Sequence, residues 1–169
     1  HGGFEDFNPS PENLEFVCSI TDRADILMAG RVSYQMLEKY WPTAWSKPNA
    51  TSSEIKYSNW YNTAKKIVPS QTLSSEKLHD VTIINENLLQ HIKDIKMQGD
   101  KNILLFGSPT LFQTLNNADL VDEYWLILYP VLFGKGIPLF APNNLKKQMS
   151  QVQTKQLTNG EIAMYYKVK

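Results

Sequence analysis

An α/β fold, with a mainly parallel sheet covered by helices and an antiparallel edge, is what this 169-residue sequence predicts. Three observations carry the prediction. Short apolar runs alternate with stretches of helical period through most of the chain. One run, "NILLFG", is apolar without alternation, as a strand covered on both faces would be. The tail, "SQVQTKQLTNGEIAMYYKVK", reads as a hairpin around Asn159-Gly160, the strongest short hairpin signal in the chain.

The elements follow in order. "PSPENLEFVCSITDRA" is a helix with Pro and Ser at its start, Glu12 in the first turn, and Leu14, Phe16, Val17 and Ile20 facing a core. "DILMAG" is a short strand ended by Gly30. "SYQMLEKYW" continues as a helix, because Tyr34, Leu37 and Trp41 share one face. "PTAWSKPNATSS" is a loop carrying Trp45, "SSEIKYSNWYNTA" a helix, and "KKIVPS" a strand. After the polar connection "QTLSSEKLHD" comes the strand "VTIIN". Leu88, Ile92 and Ile95 mark the next helix, closed by Gly99. The strand "NILLFG" leads into a helix with Leu111 and Leu115 stacked. "LVDEYWLILYPVLFGKGIPLF" then holds a strand to Tyr129 and a turn-rich return.

The length and a 42% apolar content suffice for one core, and no repeat or composition break divides residues 1–169, so a single domain is expected. Lys+Arg 17 against Asp+Glu 17 leaves no bulk field to recruit nucleic acid or an anionic membrane. Any anionic ligand must therefore be held by local geometry. The single Cys18 excludes an internal disulfide and fits a reducing compartment; inside a helix it reads as a small buried thiol rather than a nucleophile. With no membrane-span or signal-peptide pattern, a soluble cytoplasmic protein is expected. The opening "HGGFEDF" has no initiating Met and no strand pattern before the first helix, which suggests a natural chain that started earlier.

In a parallel sheet of this kind ligands sit beyond the carboxyl ends of the strands. Two turns fall there with one design of strand end, glycine, hydroxyl and helix: Gly30-Arg31-Val32-Ser33 and Gly107-Ser108-Pro109-Thr110. A helix start presents unpaired N–H groups and about half a positive charge, and so suits phosphate. Glycine lets the backbone approach, and the Arg31 guanidinium matches phosphate oxygens. Each turn alone reads as a plain N-cap; two at one sheet edge could hold a dinucleotide diphosphate. Other candidates are poorer. Asp122-Glu123 reads as a structural turn rather than an acid/base pair. His79 and His91 lack ligand spacing, so no metal site is expected. Trp45, between loop prolines, could stack on a planar heterocycle.

"DILMAGRVSYQML" resembles the G-R-x-[ST]-[YW]-E segment of the dihydrofolate reductase superfamily, and "AKKIVPSQTL" resembles its next strand with a Ser-rich exit. "ILLFGSPTLFQTLNNADLVDEYWLILYPVLFGKGIPLF" is similar to "GG-x-x-L-x-x-x-L-x-x-x-gLvDEl-x-l-x-x-x-P-v-x-l-G-x-G-x-x-LF". This resembles most closely the bacterial reductases related to the C-terminal domain of the riboflavin-biosynthesis enzyme RibD. The resemblance covers the chain from about Asp25 to its end and implies a dihydrofolate reductase-like three-layer α/β/α fold.

It also implies NADPH as cofactor. Gly30, Arg31 and Ser33 would face the diphosphate and adenosine phosphate, and Ser70 and Gln71 the 2′-phosphate and adenine. Phe106, Gly107, Ser108, Thr110 and Leu111 would line the nicotinamide side of the diphosphate. The chain has Phe106-Gly107-Ser108 where the family commonly has paired glycines, and Gln35 where it has Glu. Asn13 or Glu15 would stand near the substrate, a pteridine- or pyrimidine-type heterocycle, with Trp45 as a further contact. No catalytic proton donor is identified. The family's first strand, ending in a Ser-Leu-Asp-Gly-like segment, has no counterpart here. The resemblance and the apolar "VDEYWLILYPVLF" together imply a homodimer. The rival reading is a dimeric nucleotide-binding protein without reductase turnover.

Overall fold

The computed structural model describes residues 9–73, 80–142 and 146–169. The elements run α1 (Pro11–Thr21), β1 (Ile26–Met28), α2 (Arg31–Glu38), α3 (Trp41–Ala44), α4 (Ser52–Thr63), β2 (Lys65–Pro69), β3 (Val81–Ile84), α5 (Leu88–Gln98), β4 (Ile103–Leu105), α6 (Pro109–Asn117), β5 (Glu123–Leu128), β6 (Met149–Gln156) and β7 (Ile162–Val168). The fold is α/β, as predicted. Its strands form two sheets, a parallel one in the order β3-β2-β1-β4 and an antiparallel one in the order β5-β7-β6.

Alternation along β1 sets the layers. Leu27 packs on one face with Val17 and Cys18 of α1 and Tyr57 and Tyr61 of α4. Its neighbours Ile26 and Met28 pack on the other face with Ile67, Ile84, Ile92 and Leu115. One helix layer is thus α1 and α4, and the other α5 and α6. Each fully buried Leu, Ile or Met contributes about 1.5–3 kcal/mol, so these two clusters are what hold the layers together.

The helix predicted through Trp41 stops at Glu38. Pro42 lacks an N–H and its ring would collide with the Glu38 carbonyl, so the chain restarts as α3 with Pro42 in its first turn. Part of the predicted Trp45 loop is therefore helical. α4 starts with a capping box: the Glu54 N–H donates to Thr51 Oγ1 (3.2 Å), and the Thr51 N–H donates to Glu54 Oε2 (2.8 Å). The tail hairpin is present, closed by Leu157 N–H to Glu161 O at 2.8 Å, with Gly160 left-handed (φ +83°). The connection at residues 74–79 lies outside the described residues, as do His79 and the Gly2-Gly3 start. No helix among the described residues is long and apolar enough to cross a membrane.

One expectation is only half met. β4 reads as covered on both faces, yet Ile103, Leu104 and Leu105 are all half-buried. The reason is a cavity of about 500 Å³ between β4 and β5, lined by residues 103–106 and 124–127. Both strands begin near the end of α1: Asp25 N–H donates to Asn102 O (3.0 Å) just before β4, and Arg23 Nη2 reaches Glu123 Oε1 (3.4 Å) at the start of β5.

Candidate functional site

At the carboxyl ends of β1 and β4 the chain turns into α2 and α6. Gly30 is extended (φ −65°, ψ 157°), and the first helical bond runs from Tyr34 N–H to Gly30 O at 2.9 Å. The second turn is built differently. Gly107 and Ser108 are both left-handed, with φ +64° and +57°. For serine that conformation costs about 1–3 kcal/mol unless its surroundings hold it there. They do. The Ser108 hydroxyl accepts from Gly30 N–H (2.8 Å) and donates to Ser33 Oγ (2.9 Å).

The two helix mouths therefore adjoin, because β1 and β4 are neighbours in the sheet. A methyl group at Gly30 would stand 3.3 Å from Ser108 Oγ, so the close approach favours glycine there. At Gly107 the positive φ makes the same demand. The plain N-cap reading is overturned: neither helix has a side-chain cap bond. The hydroxyls of Ser33 and Ser108 instead tie one mouth to the other.

Thr110 is exposed in the first turn of α6. Leu111 packs on the core beside Leu115, and Phe106 on Tyr57, with ring centroids 6.3 Å apart. The side chains of Phe106 and Leu111 are thus spent on packing.

Beside α2 lies an open cleft of about 420 Å³ that gathers Arg31, Ser70 and Gln71 with Thr72, Asn85 and Asn87. Arg31 is exposed, steadied by a 3.3 Å bond from Nη1 to Gln35 Oε1. The Ser70 hydroxyl accepts from the N–H groups of Thr72 (3.2 Å) and Leu73 (3.0 Å), which shapes the loop after β2. Glu86 adds a carboxylate to the same cleft. One guanidinium, one carboxylate and several amides and hydroxyls suit a ligand that both donates and accepts hydrogen bonds. Thr72, Asn85 and Asn87 escaped the sequence reading. Their signal was available: "IINENLL" is a third strand-to-helix junction at the same sheet edge, and Asn87 is left-handed (φ +52°) at the start of α5.

The residues assigned to substrate fall elsewhere. Asn13 Nδ2 donates to Tyr129 Oη (2.8 Å) and to Glu161 Oε1 (3.0 Å). Glu161 is 1% exposed and accepts the Ser10 N–H at 3.2 Å on both carboxylate oxygens. This carboxylate sits where the α1 dipole favours a negative charge. Burial, and then the nearby Glu161, raise the Tyr129 phenol above its usual range, against the lowering effect of the Asn13 bond. Asn13 thus bolts α1 to the ends of β5 and β7. Glu15 is exposed, and Trp45 is 53% exposed on the far end of α3. None of these three lines either cavity.

Asp122 and Glu123 are structural: Lys96 pairs with Asp122, while Arg23 and Lys167 (3.2 Å) share Glu123. Among the described residues no cluster of three or more His, Cys, Asp or Glu side chains gathers.

The family model described as the RibD C-terminal domain matches residues 5–163. The chain is similar to the uncharacterized protein YyaP of Bacillus subtilis, 29% identical over 145 residues, which are 86% of this chain and 74% of that one. Among solved structures it resembles a putative riboflavin biosynthesis protein from Shewanella sp. PV-4 (TM-score 0.65, 20% identity, 97% of this chain and 82% of that one). It also resembles a pyrimidine reductase-like protein from Corynebacterium diphtheriae (TM-score 0.64, 13% identity, 95% and 82% covered). Both structures share the two-sided α/β architecture built above from β1 outward. Carried by a match over nearly its whole length, the chain belongs to the RibD C-terminal domain family.

Proposed function

We propose that this protein is an NADPH-dependent reductase acting on a pteridine- or pyrimidine-type heterocycle. The observation that carries the reading is the junction of two helix mouths at one sheet edge, with Arg31, Ser70 and Gln71 in the adjoining cleft. The residues fit the group. Two glycines let the mouths approach each other, and helix N–H groups without side-chain caps, with one guanidinium, match a diphosphate and a further phosphate. NADPH, when bound, supplies a hydride. Gly30, Arg31, Ser33, Gly107, Ser108 and Thr110 would hold its diphosphate, and Ser70 and Gln71 its adenosine end. The protein's part is to orient the cofactor against the acceptor and keep water out. Family membership and the likeness to a pyrimidine reductase-like protein support the same class of chemistry.

The reading includes a homodimer. Leu132 is fully exposed, and Leu128, Ile137 and Val152 are more than half exposed, along β5, β6 and the stretch between them. So much open aliphatic surface suits cover by a second copy. A cytoplasmic location fits a cofactor of that compartment.

Titration with NADPH, followed by nicotinamide fluorescence and thermal shift, tests binding. Loss of the nicotinamide absorbance with added pterins and pyrimidines tests turnover. A second reading, nucleotide binding without turnover, is favoured by one observation: the Asn13 amide is already committed to Glu161 and Tyr129. Tight binding with no oxidation across both substrate types would select it.

A further inference from the structure

We propose that Glu86 is a specificity-determining residue for the dinucleotide. It makes the cleft beside α2 accept an unphosphorylated adenosine ribose as well as a 2′-phosphate, so that NADH is bound nearly as well as NADPH. This deepens the reductase reading and rests on it. The sheet order β3-β2-β1-β4 puts the cleft next to the rim. The rim joins the ends of β1 and β4. The cleft lies past the ends of β2 and β3, where Ser70 and Gln71 follow one strand and Asn85 and Glu86 the other. A dinucleotide with its diphosphate on the rim therefore lays one nucleoside into the cleft.

Two opposite devices meet there. A guanidinium suits a ribose 2′-phosphate, whereas a carboxylate suits the free 2′-hydroxyl, which donates to it. A site that selects one form needs one of the two; this cleft carries both, in Arg31 and Glu86. Both side chains are exposed, and among the described residues neither forms an ion pair, with the other or with a third group. Among the described residues lining the cleft they are the only formal charges, so they cancel. Its volume of about 420 Å³ is that of a sphere about 9 Å across, within the screening length of roughly 10 Å at about 0.1 M salt. A 2′-phosphate anywhere in it is thus drawn by Arg31 and repelled by Glu86. The neutral groups do not restore a choice. The Ser70 hydroxyl, accepting two backbone N–H groups, keeps its O–H to donate, and the amides of Gln71 and Asn85 both donate and accept.

Glu86 also has a plainer use. It immediately precedes Asn87, the N-cap of α5, where a carboxylate favours the helix dipole. That use alone would act on stability and leave the choice of dinucleotide untouched, which is what the test separates.

Kd values for NADPH and NADH are measured on the full chain by nicotinamide fluorescence. The unsubstituted protein is compared with Glu86→Gln and Glu86→Lys at about 0.05 M and about 0.5 M salt, and Tm is recorded for each. In the unsubstituted protein the two dinucleotides should bind within about tenfold of each other. Glu86→Gln should weaken NADH about tenfold, the scale of one hydrogen bond to a charged group, and leave NADPH equal or tighter. Glu86→Lys should widen the ratio further at low salt, and high salt should narrow it again. A lowered Tm with an unmoved ratio would make Glu86 a helix-dipole group only and overturn the proposal. A preference of about a hundredfold or more for NADPH in the unsubstituted protein would do the same. If neither dinucleotide binds, the reductase reading falls and takes this proposal with it. If NADPH binds and the ratio stays fixed in both variants, this proposal falls alone.

Discussion

The turns at Gly30 and Gly107 share one sequence recipe and have opposite backbones. Gly30 is extended, and its N–H is taken by a side chain from the other turn. Gly107 and Ser108 are both left-handed, and Ser108 holds that posture through bonds to Gly30 and Ser33. The second turn is the strained one and the first is its support. Equivalence of pattern does not make two phosphate-binding mouths; it makes one compound rim whose halves depend on each other.

The hardest blow to that asymmetry is a side chain at the left-handed glycine. Gly107→Val places a β-branched residue at φ +64° and should lose about 2–3 kcal/mol of stability, read by denaturant unfolding. Gly30→Ala keeps an ordinary φ and only crowds Ser108 Oγ, so about 1 kcal/mol is expected. Equal costs would erase the distinction.

Arg31→Ala should weaken NADPH binding by about 1.5–3 kcal/mol, as for lost bonds to a charged group. Arg31 is exposed, so unfolding should shift by no more than about 0.5 kcal/mol. A large stability loss with intact affinity would move Arg31 from the ligand to the scaffold.

Ser108→Ala strands the Gly30 N–H and keeps the left-handed strain; a loss of about 1–2 kcal/mol is expected. Ser108→Gly loses the same bonds but relaxes the backbone, and should cost less. If the two variants are equally damaging, strain at this position is not what the bonds oppose.

The smallest effect is alkaline. Burial, and then the neighbouring Glu38, push the Tyr34 phenol of α2 up to about 12 from its usual 10. A raised value in the folded state gives stability that is complete below pH 10. It is lost as pH climbs toward about 12, because the unfolded chain ionises first. Tyr34→Phe should flatten that part of the stability profile, measured by denaturant unfolding across about pH 9–12.

The fold was largely legible because its signals are local. The period of Leu88, Ile92 and Ile95, the apolar "NILLFG" and Gly160 in the hairpin each need only a few neighbours to interpret. The α2–α3 break shows the limit: Pro42 was legible as a stop, but the new helix beyond it depends on packing against α4, where Trp45 N–H finds Ser58 Oγ at 3.2 Å. At the site, Gly30, Arg31 and Gly107 were legible from their places at strand ends, whereas Ser70 and Gln71 were legible only through the family resemblance. Asn13 was not, since its partner Glu161 lies 148 residues away and looks like one more hairpin charge.

By itself the sequence determined the class of fold and the glycine-bearing strand-to-helix turns, because periodicity and backbone sterics act over a few residues. Tertiary structure alone decided that Ser108 braces Gly30, that Asn13 is a bolt for α1, and that β4 and β5 face each other across open space. Those outcomes depend on which distant groups meet and spend each other's hydrogen bonds, and no local pattern records that.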